Sequence, residues 1–136
     1  MLERMLFDYP ELEHHLKNRI EELKYPVVEK DDNVGGGKSN KVSNPIESFV
    51  ITIDEDKVIH GFRKQQIAIQ EALGKLDLGM NKTIKRYYFD NEANNRSARS
   101  IAKEYGYSKS EYYRQRDFFY KRILDNLGLP HLAKDI

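Results

Sequence analysis

One spacing near the end of the chain constrains its fold more than any other feature. Residues 97–124 read SARSIAKEYGYSKSEYYRQRDFFYKRIL, with Gly106 four residues after Ala102 and two before Ser108. A glycine at such a point permits the positive φ that ends one helix and turns the chain into the next. Ser108 and Glu111 stand in the S-x-x-E arrangement of a capping box, which starts a second helix. Ala102 is small, as the residue must be where the first helix crosses close to the second. Ile101, Tyr107 and Tyr112 supply apolar surface before the turn, just after it and within the second helix. These positions fit a helix-turn-helix template.

In that template the second helix lies in the major groove of DNA with its N-terminal residues on base edges. With Tyr112, Phe119 and Ile123 facing inward, the outward positions near its start are Lys109, Ser110, Tyr113 and Arg114. Arginine and lysine can pair with guanine O6 and N7, and serine can bond either kind of base. Tyr113 can pack on a thymine methyl or bond a phosphate. Lys121, two turns further on, and Arg96 and Arg99, near the start of the first helix, are placed to meet the backbone.

The charge distribution agrees with a polyanion meeting one end of the molecule. Residues 1–80 hold 11 Lys/Arg against 15 Asp/Glu, whereas residues 81–136 hold 12 against 7. A net +1 therefore conceals an acidic part joined to a basic one.

Upstream, the pattern is helical. Leu2 to Lys24 reads as helix, with Pro10 in a first-turn position and Leu12, Leu16, Ile20 and Leu23 along one stripe. Residues before Pro10 would form a separate short turn. Residues 27–44, VVEKDDNVGGGKSNKVSN, lose all apolar periodicity and read as a glycine-rich loop. Asn44 and Pro45 restart helix as cap and first turn. The β-branched segment FVITI is read as helix, because a strand there would have no sheet partner. Ile59, Phe62, Gln66, Ile69, Leu73 and Leu76 then form a seam spaced by threes and fours. A long helix carrying this seam is expected to fold back on residues 10–24 as a hairpin; pairing in a homodimer is the alternative. Gly79 is expected to break the long helix, and Asn81 to cap a short one ending near Phe89.

The fold expected is all-α: an N-terminal helical hairpin with a long helix over residues 1–78, then a helix-turn-helix domain over 79–136. Residues 81–128 resemble region four of bacterial sigma factors. The match runs through Arg86-Tyr87-Tyr88-Phe89, Ser100-Ile101-Ala102 and Gly106-Tyr107-Ser108, in order and spacing. It departs at Arg116, where an apolar residue is usual, and at Tyr112, which is bulkier than usual. The whole chain further resembles phage late-transcription activators of the RinA and ArpU type, through Tyr9-Pro10, Gly35-Gly36-Gly37, Ser39-Asn40 and Pro45. That resemblance implies a regulator binding double-stranded promoter DNA and working with host RNA polymerase. A phage small terminase subunit, which starts DNA packaging, combines similar parts and is the competing reading. So is a polymerase- or sigma-interaction protein that does not touch DNA.

Other chemistries find little support. Gly37-Lys38-Ser39 lacks the earlier glycine of a phosphate-binding loop, since Asp32 stands there. His14 and His15 are adjacent and diverge on a helix, and the chain has no cysteine, so no metal or cofactor is expected. The run Asp54-Glu55-Asp56 reads as a solvated helix face. No nucleophile stands beside a plausible base, so no enzymatic activity is expected, nor is any membrane span. A cytoplasmic protein is the resulting expectation.

Overall fold

A computed structural model describes residues 1–24, 45–90 and 95–135. All elements among them are helical: α1 (Leu2–Lys24), α2 (Pro45–Glu55), α3 (Lys57–Gly74), α4 (Leu78–Ile84), α5 (Ala98–Glu104) and α6 (Lys109–Asn126). A π-helical turn, Lys85–Phe89, extends α4, and a 3-10 turn, Pro130–Asp135, follows α6. None of these helices is long and apolar enough to cross a membrane. The glycine-rich loop and the Asn44 cap expected from the sequence lie outside the described residues.

The α3 seam is the spine of the core. Ile59, Ile69 and Leu73 are buried, as is Leu76 in the turn just after α3, while Phe62 and Gln66 are partly covered. α1 packs along one side of α3 and α6 along another. One cluster of buried residues joins Leu6 of α1, Ile69 and Ala72 of α3, Met80 and Ile84 of α4, Ala102 of α5 and Phe119 and Ile123 of α6. This core runs across the expected division at residue 78.

Four local expectations are corrected. First, α1 spans Leu2–Lys24 as expected but runs unbroken through Pro10, so the residues before it form no separate turn. A proline inside a helix forfeits one hydrogen bond and costs about 3 kcal/mol. Tertiary burial outweighs this: Leu6 is fully buried, the Phe7 ring meets Tyr88 at 4.8 Å, and Tyr9 stacks on Phe89 at 4.5 Å.

Second, the long helix is divided at Asp56. Its carboxylate accepts a hydrogen bond from the Ile59 amide at 3.0 Å, capping α3, and binds Arg19 of α1 at 2.8 Å. Asp56 is therefore not one of a solvated run but a junction of three helices.

Third and fourth, the chain breaks before Gly79, at residues 75–77, and Asn81 is not a cap. Its side chain lies within α4 and donates to the Leu73 carbonyl at 3.0 Å, tying α4 to the end of α3. Gly79 serves a different purpose. A Cβ there would lie 2.6 Å from Cε2 of Tyr107, so its absence makes room for that ring.

Candidate nucleic-acid interface

The turn between α5 and α6 forms by the local rules its sequence carries. Ser97 caps α5 by accepting from the Ser100 amide at 3.1 Å. At the far end of α5, Gly106 has φ 85°, the Gly106 amide donates to Lys103 O at 3.0 Å, and the Tyr107 amide donates to Ala102 O at 3.2 Å. That pair of bonds is a Schellman motif, which satisfies the last carbonyls of α5 while reversing the chain. Ser108 then accepts from the Glu111 amide at 3.2 Å and opens α6. Ile101 and Ala102 are buried beneath the turn. Tyr107 packs against the core over Gly79.

Two clusters of polar contacts help to hold this unit to the rest of the molecule. Glu104, at the end of α5, binds Arg86 of the π turn at 2.7 Å and Arg96 of the preceding segment at 2.6 Å. Arg86 also reaches the Tyr105 hydroxyl at 3.3 Å. The two guanidinium groups hold the Glu104 carboxyl below its ordinary range. On the other side of α6, Arg122 donates from Nε to both oxygens of Glu71 at 2.9 and 3.1 Å, with a further contact from Nη2. Asn126 bonds the Ala68 carbonyl at 3.1 Å. With its charge so neutralised, the Glu71 carboxyl is lowered to about 2, chiefly through Arg122 and then Asn126.

The residues singled out from the sequence divide into free and engaged groups. Lys109, Ser110, Arg114 and Lys121 are exposed on α6, and Arg99 is exposed on α5. Among the described residues Lys109, Arg99, Arg114 and Lys121 form no ion pair, whereas Arg4, Arg19, Arg86, Arg96, Arg116 and Arg122 each hold a carboxylate. Arg96 is thus committed to Glu104 and carries a second bond to the Ser100 carbonyl at 3.3 Å. Tyr113 is half-buried, packed against the core, with the Arg116 guanidinium 4.8 Å from its ring centre. Its ring is a wall of the core more than a free side chain.

The departures noted from the sequence acquire structural roles. Arg116 sits between Tyr113 and Tyr120, 5.4 Å from the latter ring, and pairs with Asp117 at 3.0 Å. Cation–π contact lets an arginine occupy a place that would otherwise need an apolar side chain. Gln115 donates to Asp77 at 3.2 Å, at the entrance of α4. Tyr112 fits because the core is built from large rings around it, with Tyr113 5.1 Å away.

Sequence reasoning missed Arg86, Glu104 and Asp56 as organising residues. Their partners lie 18 and 37 positions away, beyond any local periodicity. The helical spacing of the aromatic cluster at 118–120 also reads as core packing in preference to base stacking, yet Phe118 is 48% exposed on α6 between Arg114 and Lys121. The outer side of α6 thus presents exposed side-chain donors that meet no acceptor among the described residues. Such a face can bond anions or the acceptor edges of bases. No group of three or more metal-ligating side chains occurs among the described residues.

A family model described as "Protein of unknown function (DUF722)" matches residues 1–125. No curated protein and no solved structure matches the chain.

Proposed function

The chain belongs to the DUF722 family, and we propose that it is a sequence-specific regulator of transcription that binds double-stranded promoter DNA through α6. The observation that carries this reading is the contrast among its cations. Most arginines of the bundle are engaged by the protein's own carboxylates, while among the described residues Arg114 and Lys121 form no ion pair on the outer side of α6, nor does Lys109 in its first turn. A helix of this kind, set behind a shorter one by a tight glycine turn, suits insertion into a major groove.

In this mechanism Arg114 and Lys109 reach guanine edges, Ser110 bonds a neighbouring base, and Lys121 and Arg99 hold phosphates. Arg96 and Arg86 position α5 through Glu104. The likeness to sigma region four supports this orientation, and the likeness to phage late-gene activators supports action at a promoter beside RNA polymerase.

The test is selection of genomic fragments by the purified protein at near-physiological salt, repeated with Lys109→Ala/Arg114→Ala. Enrichment of one promoter-proximal sequence, abolished in the variant, is expected. Absence of enrichment, or enrichment indifferent to the substitutions, refutes the assignment.

A further inference from the structure

Two adjacent phenylalanines in α6 have opposite fates. Phe119 is fully buried, whereas Phe118 is 48% exposed. Among the described residues Phe118 takes part in none of the ring–ring or cation–ring contacts that tie the other aromatics of α6 together. It stands where two shallow surface depressions meet. One is shared with Lys75 and Arg114, the other with Lys121 and Pro130.

Helical geometry places it on the same face as two of the proposed base readers, Ser110 and Arg114, with Lys109 on a different side of the helix. At roughly 100° per residue, Ser110, Arg114, Phe118 and Lys121 fall within an arc of about 80°, and all four are exposed. Asp125, one turn beyond Lys121, ends the cationic stretch. An aromatic ring in that stripe has no hydrogen bond to offer. In a major groove the matching feature is the thymine 5-methyl group, the one apolar projection on its floor.

We infer that Phe118 reads a thymine by packing its ring on the 5-methyl group, adding an apolar contact to the polar ones of Arg114 and Ser110. This rests on the DNA-binding reading of α6. It extends that reading by naming the residue that distinguishes thymine from cytosine at one position of the site.

The chemistry allows a test one methyl group wide. Duplexes carrying the selected site are prepared with each thymine in turn replaced by uracil, which keeps the pairing edge and removes only the methyl. Affinities are measured for the wild-type protein, Phe118→Ala and Phe118→Leu. Circular dichroism and melting temperature are recorded for each, and an exposed position should leave both unchanged.

The wild type should lose about fourfold at a single thymine, the worth of one buried carbon. Phe118→Ala should bind the thymine duplex more weakly and show no further loss with uracil there, while Phe118→Leu should keep part of the discrimination. The inference is overturned if Phe118→Ala retains the wild-type response to uracil, or if wild-type binding ignores every replacement. Wild-type protein that selects no DNA sequence at all would overturn the DNA-binding reading itself, a result distinct from selective binding that ignores the methyl.

Discussion

The Tyr107 ring lies over Gly79 so closely that a Cβ at position 79 would stand 2.6 Å from Cε2 and 3.0 Å from the hydroxyl oxygen. This contact joins the turn between α5 and α6 to the first turn of α4. It sets how closely the turn that leads into α6 approaches α4. Gly79→Ala is expected to destabilise the protein by about 1–3 kcal/mol, although alanine is the better helix former by about 1 kcal/mol. Urea titration measures it. In a Tyr107→Leu background the penalty should shrink, so a double-mutant cycle should show strong coupling; additive effects would mean that the ring is not the obstacle.

A second prediction concerns the hydroxyls of Tyr88 and Tyr120, which meet 2.8 Å apart in the core. Tyr88→Phe strands the hydroxyl of Tyr120 and should cost about 1–3 kcal/mol, whereas replacing both by Phe should cost much less than twice that. The pair also predicts alkaline behaviour. Burial raises the Tyr88 and Tyr120 phenols and pushes Tyr112 up to about 12. A raised folded pKa gives stability that is complete below the unfolded value of 10 and disappears as pH climbs through the folded value. Tyrosine ionisation, followed by ultraviolet absorbance, should therefore coincide with unfolding above pH 10 for these rings. Removing two of them should shift the transition upward.

The acid limit follows from Glu71. Its folded pKa, about 2, lies below the ordinary 4.5, so the contribution is present above 4.5 and is lost as pH falls towards 2. Glu71→Gln should lower stability at pH 7 and flatten the pH dependence between those values, as judged by melting temperature. An unchanged acid profile would mean that the Arg122 fork does not persist in solution.

Much of the architecture was legible in the chain because its signals were local. Ser108 and Glu111, Gly106, and the seam from Ile59 to Leu73 act through neighbours three to seven residues away, and each lies where those spacings place it. Pro10 and Asp56 misled for the opposite reason. The helix through Pro10 is held by Tyr88 and Phe89, and Asp56 is fixed by Arg19; none of these partners is near in sequence. The site divides in the same way. Exposure of Ser110, Arg114, Lys121 and Arg99 agrees with helical periodicity, and Lys109 is exposed in the first turn of α6, yet the capture of Arg96 by Glu104 and of Tyr113 by the core depends on tertiary neighbours. Phe118 was hidden by its own sequence, since FFY reads as core until the fold separates the first ring from the second.

The central claim, that α6 reads base sequence, is tested most directly by measuring Arg114→Ala against every single-base variant of the selected site across a range of salt concentrations. A bidentate guanine contact predicts a loss of about 1–3 kcal/mol confined to one base pair, with discrimination at that pair relaxed. A uniform loss over all variants, with the salt slope reduced by about one, would make Arg114 a phosphate contact and contradict the account.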